Sequence, residues 1–166
     1  MKPIEDMLAD KIYELVNYVL SKKFIPDIKL ETVGTLTRDD VRSLKKQLGI
    51  EGVILDIDET VRTGMNKIPK CNEQWLDMLK EELKVIVVSN GIDGNVEKFL
   101  EAKGIDYIGF ALKPMKKKFI KACERLGIAP ENTLVIGDSV WCDIYGGQRN
   151  NMKTALVKKV EEDEER

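Results

Sequence analysis

Four short runs carry side chains that could do chemistry together: Asp56-Ile57-Asp58-Glu59-Thr60, Ser89-Asn90, Lys113-Pro114, and Gly137-Asp138 with Asp143 five residues further on. Asp56 and Asp58 are two apart, which in an extended strand puts both carboxylates on one face. Such a pair repels unless a cation joins the two or one keeps a proton. Asp138 would complete a nest of hard oxygens suited to Mg²⁺, which takes a few carboxylates, waters and a phosphate. Asp143 lies about one helical turn beyond Asp138 and can point back at that nest. Ser89, leading into Asn90-Gly91, offers a hydroxyl and backbone N–H groups at a helix start, a phosphate cradle that serves equally as a plain N-cap. Proline after Lys113 disfavours helical geometry there, so its ammonium is held at a strand end, where it can neutralise a phosphoryl group. Taken singly, each run also has a plain structural reading: aspartates capping loop amides, a capping serine, a surface lysine. An EF-hand is excluded, because Val61 stands where its glycine belongs and Lys67 where its final glutamate belongs.

The elements that must position these residues follow from the apolar pattern. From Gly52 onward short apolar runs predict strands at Gly52–Ile57, Lys84–Ser89, Asp106–Ala111, Thr133–Gly137 and Thr154–Lys158. Helical patterns lie between them at Asn72–Leu83, Asp93–Lys103, Pro114–Leu126 and, shorter, near Val140–Gly147. Strands that are almost wholly apolar and alternate with amphipathic helices mean a parallel sheet covered on both faces. Right-handed crossovers make this a doubly wound, Rossmann-like α/β fold of about five strands, with ligands beyond the strands' C-terminal ends. Asp56, Ser89, Lys113 and Asp138 stand at four such ends, 33, 24 and 25 residues apart, about one strand–helix unit each. Upstream, Ile4, Leu8, Ile12, Leu15, Val16, Val19 and Leu20 recur at helical spacing and predict a helix over Ile4–Leu20. Thr37 as N-cap and Gly49 as C-cap bound a second helix ending at Leu48. The organisation expected is therefore an N-terminal helical extension over 1–50 packing on or near the core, a catalytic domain over 51–160, and an acidic frayed tail over 161–166.

Composition narrows the classes. With no histidine at all, triads and imidazole metal sites are excluded, and any acid–base or metal chemistry must rest on carboxylates. A net charge of −2, with five acids and one base in the last six residues, is no nucleic-acid footprint. No apolar run approaches the roughly 20 residues of a bilayer span. Cys71, Cys123 and Cys142 are odd in number and widely spaced, so neither a disulfide framework nor a zinc pattern forms, and a reducing cytoplasm is the expected compartment. Neither GxGxxG nor GxxxxGK[ST] occurs, which removes the dinucleotide and P-loop readings.

The order and spacing of the four runs resemble the haloacid dehalogenase (HAD) superfamily, whose four motifs are matched by Asp56-Ile-Asp58-Glu-Thr60, Ser89, Lys113 and Gly137-Asp138-Ser-Val-Trp-Cys-Asp143. From about Phe24 to Val160 the chain is also similar to the YqeG-like branch of capless phosphatases. That likeness rests on Gly49-Ile-Glu-Gly-Val-Ile-Leu-Asp56, Val87-Val-Ser-Asn90, Ala111-Leu-Lys-Pro114 and Gly146-Gly-Gln-Arg149. It departs from the pattern at Glu59, where asparagine is expected, and at Cys142, where threonine is. The resemblance implies a Mg²⁺-dependent phosphatase. Asp56 would be the nucleophile that forms an aspartyl-phosphate, and Asp58 would protonate the leaving oxygen and then activate water. The metal would be held by Asp56, the backbone carbonyl of Asp58 and Asp138, with Asp143 either a further ligand or a support behind the ligands. Thr60, Ser89, Asn90 and Lys113 would make the phosphate-binding set, with Thr60 fixing the loop. Neither the stretch after Thr60 nor that between Ser89 and Lys113 has room for a folded cap. An open site suits a large or surface-bound ester, or a neighbouring subunit that closes it in a homo-oligomer. Similarity of the branch to phosphatidylglycerophosphate phosphatases points to a phosphorylated lipid head group, with peripheral membrane contact through the first helix. Against that contact, the helix carries Glu5, Asp6, Asp10 and Glu14, and packing on its own core is the simpler expectation. Two other classes are weighed: a receiver-like phosphoacceptor domain, disfavoured by the DxDxT run on the first strand, and an inactive scaffold of the same fold, disfavoured by four intact motifs.

Overall fold

The computed structural model describes residues 3–164. Six strands form one parallel sheet: β1 (Ile28–Leu30), β2 (Gly52–Leu55), β3 (Lys84–Val88), β4 (Asp106–Ile108), β5 (Thr133–Gly137) and β6 (Lys153–Val157), in the order β1-β6-β5-β2-β3-β4. The helices are α1 (Ile4–Lys23), α2 (Arg38–Leu48), α3 (Lys70–Glu82), α4 (Gly94–Ala102), α5 (Lys116–Leu126) and the one-turn α6 (Gly146–Gln148), which continues a π-helical turn over Val140–Tyr145. Inside each apolar strand the side chains still alternate. Val53 and Leu55 of β2, Val85 and Val87 of β3, and Leu134 and Ile136 of β5 share one core with Val41, Leu76, Leu79 and Leu100 from α2, α3 and α4. Ile54, Ile86, Val88 and Val135 face the other side, against Phe119, Ala122 and Cys123 of α5. Burial on both faces is why these strands read as unbroken apolar runs.

After β2 the crossovers proceed outward to β3 and β4, whereas β5 returns to the other side of β2. The strand order therefore reverses between β2 and β5, where a doubly wound sheet opens a crevice at its C-terminal edge. The sixth strand, β1, comes from the segment following the first helix, and three residues are too few to show any period. Asp27 pins its start, Oδ2 accepting from the Thr154 backbone N–H at 2.8 Å. Thr37 and Asp40 form a reciprocal capping box on α2, which Gly49 ends in the left-handed conformation.

Two terminal segments behave differently from the pattern reading. No residue of α1 is buried, and Ile4, Leu8, Ile12, Leu15, Val16 and Val19 of its apolar stripe are exposed. The helix meets the rest of the molecule chiefly at Val140–Tyr145, and the Phe24 and Tyr145 rings lie 4.7 Å apart just beyond its end. The acidic tail, expected to fray, is seated as far as Asp163. Glu161 accepts from Thr32 Oγ1 at 2.8 Å, Glu162 from Thr63 Oγ1 at 2.8 Å, and Asp163 takes the Lys70 and Cys71 backbone N–H groups at 2.9 and 2.8 Å. Those two N–H groups are unpaired donors of the first turn of α3, so the tail carboxylate caps that helix. Residues 165 and 166 of the expected tail lie outside the described residues.

Candidate active site

A pocket of about 170 Å³ opens at the crevice between β2 and β5, lined by Asp56, Asp58, Ser89, Asn90, Lys113, Asp138 and Asp143 together with Tyr13, Gly91, Ser139 and Cys142. Of the sequence-predicted residues only Thr60 is absent from the lining. It is wholly buried behind Asp56, where its hydroxyl donates to Asp56 Oδ2 at 3.0 Å. A larger cleft of about 890 Å³ lies at the other edge of the sheet, among Gly49, Lys84, Gly104 and Gly127. It contains none of these residues.

At the centre, Lys113 Nζ donates to Asp56 Oδ1 at 2.9 Å and to Asp143 Oδ1 at 2.6 Å. All three side chains are buried. Burial alone would push the Lys113 ammonium down, but Asp143 and Asp56 together outweigh it and hold the pKa above the usual lysine value. Oxygens of Asp56, Asp138 and Asp143 lie within 4.8 Å of one another. Three carboxylates facing one ammonium leave an excess of negative charge. Burial, reinforced by Asp56 and Asp143, pushes Asp138 up to about 8. Burial likewise raises Asp143, with Lys113 opposing it. A buried set of hard oxygen donors with surplus negative charge fits a small divalent cation such as Mg²⁺.

Local geometry explains each placement. Asp56 extends the β2–β5 pairing by one bond, its N–H donating to Ile136 O at 2.9 Å. The chain then leaves the sheet in a tight turn, in which the Val61 and Arg62 N–H groups both donate to Ile57 O. Glu59 sits in this turn at φ +59°, a left-handed conformation that asparagine adopts far more readily than glutamate. Because of the turn, the Asp58 carboxylate does not join the three-carboxylate cluster, as two-residue spacing on a continued strand would require. It pairs instead with Arg62, whose Nε donates to Asp58 Oδ1 at 2.9 Å. The second oxygen, Oδ2, lies over Gly91. A side chain at 137 would collide with the Asp143 carboxylate, whose Oδ2 is 2.1 Å from where its Cβ would stand, so the glycine lets Asp143 fold back onto the end of β5. Ser139 N–H donates to that same Oδ2 at 3.2 Å. Ser89 Oγ accepts from Gly91 N–H at 3.2 Å. Asn90 Oδ1 accepts from Lys113 N–H at 2.7 Å and so fixes the lysine's backbone rather than facing the carboxylates.

Three contributors are not legible in the motifs. Arg62 is 2% exposed and bridges Asp58 to Asp93, with Nη1 donating to Asp93 Oδ2 at 2.9 Å. Its one sequence signal is the four-residue offset from Asp58. Asp93 also caps α4, so this arginine joins the turn after β2 to the loop after β3. Tyr13 reaches the pocket from α1, more than forty residues before Asp56, and no local pattern announces it.

A family model described as haloacid dehalogenase-like hydrolase matches residues 68–151. The chain is 33% identical over 144 residues to the probable phosphatase YqeG of Bacillus subtilis (strain 168), covering 86% of this chain and 81% of that protein. It is 26% identical over 117 residues to a glyceraldehyde 3-phosphate phosphatase of Pyrococcus furiosus, covering 63% of this chain and 48% of that protein. Among solved structures, an uncharacterized protein from Listeria monocytogenes serotype 4b superposes with a TM-score of 0.57 at 20% identity, over 70% of this chain and 85% of that one. A putative 3-deoxy-D-manno-octulosonate 8-phosphate phosphatase from Vibrio cholerae superposes with a TM-score of 0.52 at 17% identity, over 73% and 82%. These two structures share the fold.

Proposed function

The chain belongs to the haloacid dehalogenase-like hydrolases as one of their phosphatases, and from that premise we propose that it hydrolyses a phosphate monoester through an aspartyl-phosphate on Asp56. The observation that carries this reading is the arrangement around Asp56: Lys113 holds one carboxylate oxygen at 2.9 Å and Thr60 the other at 3.0 Å. A carboxylate so fixed attacks with little loss of orientational freedom. In the first step an Asp56 oxygen bonds to phosphorus, the bond from phosphorus to the ester oxygen breaks, and Asp58 gives its proton to the departing oxygen. In the second, Asp58 takes a proton from water, the water oxygen bonds to phosphorus, and the acyl-phosphate bond breaks to release phosphate and free Asp56. Ser89 Oγ–H donates to a phosphoryl oxygen while the Lys113 ammonium offsets its charge. Asp56, Asp138, Asp143 and the backbone carbonyl of Asp58 would hold Mg²⁺, which neutralises phosphoryl charge when bound.

For the substrate we propose an amphiphile, a phosphorylated lipid head group. Supporting it are large apolar side chains left exposed in the segments that follow the strands at the sheet's C-terminal edge: Met65, Ile92, Phe110, Leu112, Met115 and, in the π-helical turn, Trp141. Lys116, Lys117 and Lys118 form the first turn of α5 with no acid among them. This opposes the helix dipole and suits an anionic surface. Asp56→Asn tests the chemistry: turnover should fall by roughly 10³-fold or more with the fold intact, since a neutral amide does not attack phosphorus. Near-normal kcat would remove Asp56 from this role. A Mg²⁺-dependent screen that sets phosphatidylglycerophosphate in vesicles against soluble monoesters tests the substrate.

A further inference from the structure

Helix α1 runs for 20 residues, about 30 Å, and buries none of them. Its half-buried residues, Asn17, Leu20 and Ser21, mark the side that meets the molecule. Leu8, Ile12, Leu15 and Val19 stand on the opposite side, each more than half exposed, with Ile4 and Val16 flanking them. Their steps of four, three and four residues are those of the seam between two coiled helices. The next seam position at either end is charged: Glu5 comes three residues before Leu8, and Lys22 three after Val19. Both are exposed, Lys22 with its Nζ over the Tyr18 ring. The helix is thus apolar along its outer seam, acidic in its first turn and basic in its last.

Such a seam is its own complement when run backwards. With Ile12 set opposite Leu15 of an antiparallel second copy, Leu8 falls opposite Val19 and Glu5 opposite Lys22. A twofold axis repeats each contact, so that four apolar layers are closed at both ends by opposite charges. Sliding one helix by a heptad sets Glu5 against Leu15 or Lys22 against Ile12. A parallel pair stacks Glu5 on Glu5. We propose that α1 is a dimerisation helix, whose outer face binds the same face of a second copy in this antiparallel register. Six large apolar side chains from each copy, at roughly 60–120 Å² each when covered, give an interface on the order of 1,000 Å², enough for a specific but reversible dimer of roughly micromolar Kd. A bilayer is the poorer occupant. Helices that lie on membranes carry lysine and arginine along the polar face, whereas Glu5, Asp6, Asp10 and Glu14 crowd the first two-thirds of this one. Tyr13, away from the seam, stays at the catalytic pocket.

Sedimentation velocity across about 1–100 μM should show the parent passing from monomer to dimer. Ile12→Glu sets a carboxylate against Leu15 twice in each dimer and should raise Kd by roughly 100-fold or more. Its circular dichroism should match the parent's, because α1 adds no residue to either core and one copy keeps its fold when the pair separates. Glu5→Lys and Lys22→Glu should each weaken the dimer by roughly 5-fold, and the two together should return it to within about twofold of the parent. If these charges serve only the helix's own dipole, the double variant will instead be the weakest of the three. That outcome, or a parent still monomeric at about 100 μM, overturns the pairing. So does a monomeric parent that pellets with phosphatidylglycerol vesicles and is released from them by Ile12→Glu, since a membrane then covers the stripe.

Discussion

A guanidinium buried between two carboxylates has few orientations open to it, and Arg62 is so placed between Asp58 and Asp93. Its pKa stays above the ordinary arginine value, burial opposing and the two carboxylates prevailing. Because Arg62 holds Asp58 Oδ1, only Oδ2 is left to carry the transferred proton. Arg62→Ala should therefore lower kcat by roughly 10²-fold with an alkyl phosphate, the effect of misplacing a reacting group by about 1 Å. An aryl phosphate, whose leaving group needs less protonation, should lose less, and KM should hardly move. Arg62→Lys keeps the charge without the planar fork and should fall between. Steady-state kinetics on both ester types decide the point: equal losses would make Arg62 a structural residue alone. Asp56, Ser89, Lys113 and Asp138 were legible because each ends an apolar run. Arg62 was not, since its burial depends on a turn whose direction no local pattern encodes.

At the scale of elements, the loops after β2 and β3 are joined through Asp93, which accepts from Arg62 and from the Asn95 and Val96 N–H groups at the start of α4. The Arg62 hydrogen bond, aided by the helix amides and opposed by desolvation, holds the Asp93 carboxyl below its ordinary 3.8. With the folded value depressed, the contribution to stability is complete above about 3.8 and is lost as pH falls through the lower folded value. Asp93→Asn keeps a capping oxygen but no charge. The parent should thus melt higher than this variant at pH 6, and the gap should close on acidification below pH 4. A gap that stays constant down to pH 3, followed by circular dichroism, would mean the ion pair is not what joins the loops. The tail belongs to this scale too. Its run of acids reads as solvated because nothing local distinguishes Asp163, yet it occupies the cap that Pro69, lacking a polar side chain, cannot supply to α3.

Over the whole molecule, stability and reactivity reside in different places. Leu76 and Leu79 are fully buried between α3 and the sheet, so Leu79→Ala should cost about 2–5 kcal/mol. Leu15, equally apolar and part of a regular helical stripe, is exposed. Leu15→Gln should shift stability by less than about 0.5 kcal/mol. Urea denaturation of the two variants measures the contrast, and a Leu15 loss rivalling that of Leu79 would place α1 within the cooperative core. Mg²⁺ added to chelator-treated protein should relieve the repulsion among Asp56, Asp138 and Asp143 and raise Tm, by about 2.7 kcal/mol of stabilisation at a hundred times Kd. Asp138→Asn should blunt that rise. An unchanged Tm across a Mg²⁺ titration would contradict the metal assignment.

Strand-by-strand apolar runs, their helical spacers and the polar residue ending each run are local properties. The α/β class, the parallel sheet and the four polar residues that meet in one pocket at its C-terminal edge could therefore be read directly from the chain. Two-residue spacing in Asp56 and Asp58 was legible as well, but not their separation into one carboxylate that joins Asp138 and Asp143 and one that pairs with Arg62. That depends on the turn after Leu55, in which Glu59 takes a left-handed backbone. Periodicity likewise announced α1 while leaving open which way its stripe would point. An amphipathic pattern states that a face needs cover, not what covers it, and here the polar side at Tyr13 and Asn17 lies against the site while the apolar side faces out. Contacts between residues tens of positions apart, such as Lys113 with Asp56 or Asp163 with Lys70, are decided only when the sheet closes, because their energies come from tertiary proximity rather than from any repeat along the chain.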